Sequence, residues 1–246
     1  MLAGRARLRA ALAAGTAVYG TFLKLPGPDA VELAAVVGLD LCVVDLEHSQ
    51  LSEGEARDLI RHAAALGLPA LVRLPAVDPG LINRLLEAGA AGIQLSTLRS
   101  AAETAALRTA VGYPPGGRRS LSLAHPAAGY GAASLAEYLA AEREIPPVLV
   151  GQIETPTTDD PLAEVVAGLD VVFIGVTDLA VSLGRGAFDA RVAEIRSVDA
   201  VVGSWCASPA AAAEAVAAGD RYVVVGSDLQ LLTQAMRGLG QALGKG

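Results

Sequence analysis

The stretch Leu41-Cys-Val-Val-Asp-Leu-Glu-His48 begins as an apolar run and changes within a few residues to two carboxylates and a histidine. This change is typical of a buried parallel strand whose carboxyl end opens into a pocket. His48 is one of three histidines, and Asp45 and Glu47 carry the charge needed to hold an imidazole in one tautomer. Alternatively, the two carboxylates only begin a solvated loop. The stretch predicts a strand with candidate catalytic residues at its end.

Strand-like and helix-like runs alternate along the rest of the chain, which indicates repeated βα units around a parallel sheet. We expect a (β/α)8 TIM barrel of class α/β, because eight strands are predicted and 246 residues form the usual length of one such domain, residues 1–246. The predicted strands are 17–23, 41–46, 70–74, 92–96, 148–153, 171–176, 201–206 and 222–226. Ala- and Leu-rich helices are predicted at 53–66, 79–88, 100–109 and 209–218.

Two connections depart from the regular βα plan. The segment 96–148, between strands 4 and 5, contains the turn-rich sequence Tyr113-Pro-Pro-Gly-Gly-Arg-Arg-Ser120, and its length predicts an extended functional insertion or lid. The segment 178–201 leaves room for only a short helix near 190–196.

Composition excludes several classes of protein. A hydrophobic fraction of 52% with 18% charged residues supplies a large core. The net charge of −7, without clustered basic residues, predicts no nucleic-acid partner. The apolar runs are too short to span a bilayer. Residues 1–18 are interpreted as an amphipathic helix, not a signal peptide, and a cytoplasmic location is expected. Cys42 and Cys206 are expected to be packed thiols.

Polar residues fall at the ends of five predicted strands. Catalytic groups of α/β barrels lie at the carboxyl ends of the strands, so this shared position favours one common site. Each of these residues, taken alone, is also compatible with a solvated loop or a helix cap. The residues, in strand order, are Glu47 and His48, Arg73, Gln152 and Glu154, Thr177 and Asp178, and Ser227 and Asp228.

Glu154 and Asp178 follow neighbouring strands and are candidate ligands of one hard divalent cation. Two carboxylates with open positions for water and substrate favour Mg²⁺ or Mn²⁺, whereas zinc would favour more His or Cys ligands. The alternative is that Asp178 caps a helix beginning at Leu179. His62, on a predicted helix, and His125, in the insertion, are interpreted as structural.

Arg73 projects from an apolar strand, where a charge needs an anionic partner. A guanidinium suits a carboxylate or a developing oxyanion of a substrate. The alternative is a buried ion pair with Asp45 or Glu47. The segment Gly175-Val-Thr-Asp178 offers backbone N–H groups to a small carboxylate, although such sites are common.

Six ordered motifs, spread over about residues 20–228, resemble those of the HpcH/HpaI aldolase family. Within that family the chain is most similar to the class II, metal-dependent pyruvate aldolases, such as the 4-hydroxy-2-oxoheptanedioate and 2-dehydro-3-deoxyglucarate aldolases. The resemblance implies a lyase that splits a 4-hydroxy-2-oxo acid into pyruvate, or a close 2-oxo acid, and an aldehyde through an enolate. The motifs are Asp45-Leu-Glu-His48, Val72-Arg-Leu-Pro75, Arg84-Leu-Leu-Glu-Ala-Gly-Ala90, Tyr113-Pro-Pro-Gly-Gly-Arg118, Gln152-Ile-Glu-Thr155 and Phe173-Ile-Gly-Val-Thr-Asp-Leu179.

The resemblance also implies a role for each matching residue. Glu154 and Asp178 become ligands of Mg²⁺ or Mn²⁺, with another divalent cation such as Co²⁺ as an alternative. Arg73 becomes the group that stabilises the pyruvate enolate. His48, oriented by Asp45, becomes the proton-transfer group. Gln152, Gly175 and Thr177 are expected to line the substrate site.

Three departures from the family pattern concern the surroundings of this site. Leu46 replaces Gly in the Asp-Gly-Glu-His motif, and Glu87 replaces an Asp that the resemblance places near a neighbouring subunit's site. The segment after Asp178 is about a dozen residues shorter than expected. A homo-oligomer, hexamer or trimer, is implied by the same resemblance.

Two alternative functions use the same residues. One is an oxaloacetate decarboxylase or a macrophomate-synthase-like enzyme that adds the enolate to a different acceptor. The other is a barrel that binds a 2-oxo acid without converting it.

Overall fold

Eight parallel strands form a closed barrel in the order β1 to β8, with helices around it. The computed structural model describes residues 2–245. The predicted (β/α)8 barrel is confirmed, and each predicted strand agrees with the observed one to within two residues at either end. The strands are β1 Val18–Leu23, β2 Leu41–Asp45, β3 Ala70–Leu74, β4 Gly92–Leu95, β5 Val148–Ile153, β6 Val171–Ile174, β7 Val201–Cys206 and β8 Tyr222–Ser227.

The helices begin at the caps that the sequence supplies. Ser52, Ser100 and Ser134 each accept a hydrogen bond from the backbone of a Glu three residues later, and that Glu side chain bonds back to the serine N–H. The helices are α1 Leu2–Ala13, α2 Asp29–Val36, α3 Glu53–Ala65, α4 Pro79–Ala88, α5 Ala101–Val111, α6 Leu135–Glu144, α7 Leu162–Val165, α8 Val176–Ser182, α9 Arg185–Arg196, α10 Pro209–Ala217 and α11 Asp228–Ala242, with a 3₁₀ segment at Pro126–Gly131.

The strand register brings the carboxyl ends of the strands to one face of the barrel. Asp45 on β2 lies opposite Arg73 on β3. Ile153 on β5 lies opposite Ile174 on β6, and the Gly175 N–H donates to the Ile153 carbonyl at 2.9 Å. The residues that follow these strands therefore share one end of the molecule, as the sequence pattern predicted.

The apolar core has two layers, one inside the barrel and one between the strands and the surrounding helices. Large interior residues such as Phe173 and Tyr222 are buried and meet edge to face, with ring centroids 5.9 Å apart. Cys42 and Cys206 are buried free thiols, as expected, and burial raises the pKa of Cys42 to about 12. None of the described helices is long and apolar enough to cross a bilayer.

Helix α1 closes the end of the barrel opposite the polar strand ends. Leu8 and Leu12 pack into the interior cluster. Arg5 is buried and donates to the Ala90 carbonyl at 3.3 Å and to Glu142 Oε1 at 2.8 Å. The other Glu142 oxygen accepts from Arg119 at 3.0 Å. Glu142 therefore neutralises two buried guanidinium groups and links α1 to the insertion.

The prediction of a single short helix between residues 178 and 201 is wrong. Two helices occupy this segment, α8 directly after β6 and α9 over Arg185–Arg196. Strand β6 ends at Ile174, so Val176, which the pattern assigned to the strand, instead begins α8. Helix α9 is rich in charged and small residues and buries only Arg191 and Ile195. Its sequence therefore lacks the regular spacing of apolar residues that predicts a helix.

The insertion between β4 and β5 packs beside the barrel. It contains α5, the 3₁₀ segment and α6. Arg119 Nε donates to Asn83 on α4 at 3.0 Å, and Tyr130 accepts from Arg61 on α3 at 3.4 Å. None of the described insertion residues lines the cavity at the polar strand ends. The role of this segment as a functional insertion or lid stays a prediction.

We predict that Glu142→Gln lowers the free energy of unfolding by about 3–5 kcal/mol, because Arg5 and Arg119 then lose their shared counter-charge. Urea unfolding followed by circular dichroism measures this change. Glu144→Gln, on the exposed side of the same helix, is the control and should change stability by less than about 0.5 kcal/mol. Equal stability of the two variants would contradict the proposed role of Glu142.

Candidate active site

A cavity of about 380 Å³ lies at the carboxyl ends of the strands. It is the natural position for an active site in this fold. Seven of the residues singled out from the sequence line it, namely His48, Arg73, Gln152, Gly175, Thr177, Asp178 and Ser227.

Asp45 and Arg73 form a two-point ion pair beneath the cavity. Arg73 Nε donates to Asp45 Oδ1 at 2.9 Å, and Nη2 donates to Oδ2 at 2.6 Å. The guanidinium also lies over the Phe22 ring, with Cζ 4.2 Å from the centroid. The alternative that Arg73 pairs with a strand-end carboxylate is confirmed. These bonds do not use Nη1, so the guanidinium retains donors for an anion in the cavity.

Asp45 remains ionised although it has no exposed surface. Burial alone raises its pKa, but the hydrogen bonds and charge of Arg73, the His48 N–H and the charge of Lys24 together bring the pKa below its usual value. The Lys24 ammonium lies 3.2 Å from Oδ2. Asp45 is therefore a fixed negative charge that holds two cations at the cavity floor.

His48 presents its ring to the cavity, with the side chain 62% exposed. Asp45 Oδ1 accepts from the backbone N–H groups of Glu47 and His48 at 3.1 and 3.2 Å. Asp45 therefore orients the His48 backbone, whereas the carboxylate beside the ring is Glu47, with Oε2 3.6 Å from Nε2. Glu47 Oε2 also lies 3.3 Å from Arg73 Nε, and Oε1 accepts from Ser96 at 2.7 Å.

Glu154 is buried at the end of β5 and both of its carboxylate oxygens have partners. The Thr97 hydroxyl donates to Oε1, and the Gln152 amide donates to Oε2. Gly175 provides the space for this side chain, because a Cβ at that position would lie 2.2 Å from the Glu154 Cβ and 2.8 Å from Oε2. A glycine at residue 175 is thus required by the position of Glu154.

A chain of buried amides connects Glu154 to the barrel interior. The Gln152 carbonyl oxygen accepts from the Gln94 amide at 3.0 Å, and Gln94 Oε1 accepts from the Tyr222 hydroxyl at 3.4 Å. Burial raises the pKa of Tyr222, so its phenol keeps the proton that it donates. This series of hydrogen bonds fixes the orientation of the Gln152 amide, so that its N–H points to Glu154.

Asp178 lies in the first turn of α8, three residues after Gly175. The alternative that it caps a helix beginning at Leu179 is wrong, because the helix begins at Val176 and has no side-chain cap. Over residues 2–245, His, Cys, Asp and Glu side chains do not gather in groups of three or more that could hold a metal ion. Two carboxylates at neighbouring strand ends nevertheless fit Mg²⁺, which retains several waters and binds one or two protein carboxylates.

Glu87 lies on α4, outside the cavity lining. It is half-buried and accepts from the Asn83 amide at 3.3 Å. Its relation to a neighbouring subunit stays a prediction.

Several residues of the site lie outside the five strand ends from which the site residues were predicted. Lys24 directly follows β1, and Trp205 is the last residue but one of β7. Both side chains line the cavity. Ser96 and Thr97 follow β4 and donate to Glu47 and Glu154. Thr97 has a φ of 49°, a left-handed conformation that is unfavourable for a β-branched residue and recurs at functional sites. The sequence feature that could have indicated these two residues is the pair of hydroxyl side chains, Ser96 and Thr97, directly after an apolar strand.

Comparisons with known proteins agree with the barrel fold. The profile of the HpcH/HpaI aldolase/citrate lyase family matches residues 18–235. A hydroxypyruvate/pyruvate aldolase of Rhizorhabdus wittichii is 32% identical over 235 residues, which cover 91% of this chain and 92% of that protein. A 5-keto-4-deoxy-D-glucarate aldolase of Klebsiella pneumoniae is 29% identical, with 97% of each chain covered. The crystal structure of an HpcH/HpaI aldolase from Desulfitobacterium hafniense superposes with a TM-score of 0.85 and 28% identity over 96% of each chain.

We predict that Asp45→Asn lowers the free energy of unfolding at pH 7 by about 2 kcal/mol, because a charge-assisted pair with Arg73 is lost. The pKa of Asp45 in the folded protein lies below its ordinary value of about 4. The stability that ionised Asp45 contributes is therefore complete above about pH 4 and is lost as the pH falls through its lower, folded-state pKa. The difference in the free energy of unfolding between Asp45→Asn and the wild type should therefore become smaller below about pH 4. Urea unfolding from pH 7 to pH 3 measures this difference, and Asp58→Asn, at an exposed position, is the control. A difference that does not change with pH would contradict this account.

Proposed function

The chain belongs to the HpcH/HpaI aldolase/citrate lyase family, and from this premise we propose that it is a divalent-cation-dependent aldolase. The proposed reaction is the reversible cleavage of a 4-hydroxy-2-oxo acid into pyruvate, or a close 2-oxo acid, and an aldehyde. The observation that carries the proposal is that Arg73, His48 and Asp178 line one cavity, and that Glu154 lies buried against Gly175, which lines the same cavity.

Arg73 is the proposed binding group for the 2-oxo acid. Its pairing with Asp45 holds the planar guanidinium in one orientation, so little motion is needed when an anion binds. Gln152, Gly175 and Thr177 line the same cavity and are proposed to contact the substrate. The buried amide chain behind Gln152 supports a fixed orientation of its side chain.

Glu154 and Asp178 would hold the cation, for which Mg²⁺ and Mn²⁺ are proposed. When bound, such a cation supplies positive charge that stabilises the negative charge developing on the 2-oxo acid. Thr97 and Gln152 orient Glu154 by their hydrogen bonds. Gly175, which lines the cavity, lies directly against the Glu154 side chain because it has no side chain of its own.

His48 is the proposed proton-transfer group. Its exposed ring can accept the proton of the C4 hydroxyl during cleavage and return it during condensation. Glu47 lies beside the ring at 3.6 Å and would stabilise the imidazolium that forms. Since Ser96 and Arg73 bind the same carboxylate, Glu47 is held in place independently of His48.

A homo-oligomer and a cytoplasmic location are proposed with this activity. Helix α11 supports the oligomer, because none of its residues is buried and its apolar side chains recur at spacings of three and four. These exposed side chains are Leu229, Leu232, Met236, Leu239 and Leu243. The two free buried thiols support a reducing compartment.

We predict pyruvate consumption that requires both a divalent cation and an aldehyde. The assay combines the protein, Mg²⁺ or Mn²⁺, pyruvate and a panel of aldehydes, with oxaloacetate in parallel. Glu154→Gln and Asp178→Asn should each lower kcat/KM by at least about 100-fold, because each removes a carboxylate that would hold the cation whose positive charge stabilises the transition state. Glu164→Gln, at an exposed position of α7, is the matched control.

The outcomes of this assay separate three functions. Aldehyde-dependent consumption supports the aldolase. Oxaloacetate decarboxylation without an aldol product would instead identify the enolate-forming alternative, and no turnover of any substrate would leave a binding protein. An unchanged rate in Glu154→Gln or Asp178→Asn would remove that residue from the proposed ligand pair.

We predict that the wild-type protein elutes at a mass above the 24.9 kDa of one chain. The double variant Met236→Glu, Leu239→Glu should shift to a smaller species, because buried carboxylates in an apolar interface are strongly unfavourable. Size-exclusion chromatography with light scattering measures both masses. Gln241→Glu, on the polar side of α11, should leave the mass unchanged. A monomeric wild-type protein would contradict the proposal.

A further inference from the structure

Two buried amide side chains, Gln94 on β4 and Gln152 on β5, lie in the largely apolar interior of the barrel. Burying an amide is costly unless its N–H and C=O groups have partners. A methionine would fill a similar volume in this interior without that cost. The two amides therefore indicate a role other than packing.

The hydrogen bonds of these two amides all point one way, toward Glu154. An ionised carboxylate accepts hydrogen bonds only, so Gln152 presents its N–H to Glu154 and its carbonyl oxygen to Gln94. Gln94 donates to that oxygen at 3.0 Å, and its own carbonyl oxygen accepts from the Tyr222 hydroxyl at 3.4 Å. The charge of Glu154 thus fixes the direction of every donor in this series.

Tyr222 ends the series on the opposite side of the barrel. Three strands separate β8 from β4 in either direction around the closed barrel, so the Tyr222 side chain crosses the interior to reach Gln94. Its ring is fully buried and packs edge to face on Phe173. Because this packing holds the ring in place, the hydroxyl keeps Gln94 Oε1 at one position.

Neither amide can turn over without bringing oxygen atoms against each other. A turned Gln94 would direct its carbonyl oxygen at Gln152 Oε1, and a turned Gln152 would direct its oxygen at the Glu154 carboxylate. Loss of the Gln94 amide or the Tyr222 hydroxyl leaves a buried carbonyl oxygen without a donor, which is unfavourable and loosens the Gln152 amide. The order of Glu154 therefore depends on two residues, Gln94 and Tyr222, that do not line the cavity.

We propose that Gln94 and Tyr222 are positioning residues that raise the affinity of the site for its divalent cation by holding the Gln152 amide against Glu154. This inference rests on the proposed function, in which Glu154 holds the cation. Groups that orient a metal ligand through hydrogen bonds commonly strengthen metal binding without contacting the metal. Gln94 and Tyr222 touch neither the substrate nor the cation, so they act only through Gln152.

The test measures the Kd for Mn²⁺, without substrate, from the electron paramagnetic resonance signal of the free ion. The wild type is compared with Gln94→Met, with Tyr222→Phe and with the double variant. Thr104→Val is the matched control, because it removes a buried hydrogen bond, from Thr104 Oγ1 to the Val165 carbonyl at 2.5 Å, that is not connected to Glu154. Circular dichroism and urea unfolding show whether each variant is folded and how stable it is.

We expect Gln94→Met to raise the Kd for Mn²⁺ by about 10-fold, the lower end of the range for loss of a group that orients a metal ligand. Tyr222→Phe should raise it by less, because Gln94 can still donate to Gln152. The double variant should bind Mn²⁺ no more weakly than Gln94→Met, since both residues act along one series. Thr104→Val should leave the Kd unchanged. Saturating Mn²⁺ should restore the kcat of Gln94→Met.

An unchanged Kd in a folded Gln94→Met protein would overturn this inference, as would an equal rise in Thr104→Val. If Gln94→Met does not fold, Tyr222→Phe decides the question, because it keeps the ring and its packing. Glu154→Gln separates the inference from the proposed function. If that variant binds Mn²⁺ as tightly as the wild type, or if the wild type binds no Mn²⁺, the proposed ligand role of Glu154 fails and the inference fails with it.

Discussion

The parallel register of the closed barrel is the constraint on which the candidate site depends. The pairing of Asp45 with Arg73 across β2 and β3, and of Ile153 with Ile174 across β5 and β6, sets which side chains leave the strands at the same height. A shift of one residue would turn each of these side chains to the opposite face of the sheet. The site is therefore a consequence of barrel closure more than of any local loop.

Buried polar groups then give the site its fixed charges. Arg73 satisfies Asp45 and still presents a donor to the cavity, while Ser96 and Thr97 each hold one strand-end carboxylate. The Tyr222, Gln94 and Gln152 side chains continue this network through the barrel interior. Charged groups held in this way need little reorganisation when charge develops on a substrate, which is the physical basis of the proposed aldolase activity.

Most of the fold could be predicted from the sequence, because buried parallel strands are continuous apolar runs and the ends of such runs are easily located. Helix α8 was predicted only as an alternative beginning at Leu179, and only the end of α9 was predicted, since only one residue separates α8 from β6 and α9 buries few residues. The sequence indicated the site residues that lie next to strand ends, but it did not indicate which side chains bond to one another. The contact of Glu47 with His48, the role of Thr97 and the position of Lys24 depend on side-chain geometry across strands, which a local pattern does not contain.

The proposed chemistry depends on Glu154 and Asp178, which follow neighbouring strands, holding one cation beside the cavity that Arg73 lines. The most direct test is the anomalous difference map of crystals soaked with Mn²⁺ and pyruvate. One peak is expected within coordination distance, about 2.0–2.6 Å, of a carboxylate oxygen of each residue, with pyruvate between the ion and Arg73. A peak elsewhere, or pyruvate bound away from Arg73, would contradict these roles of Glu154, Asp178 and Arg73.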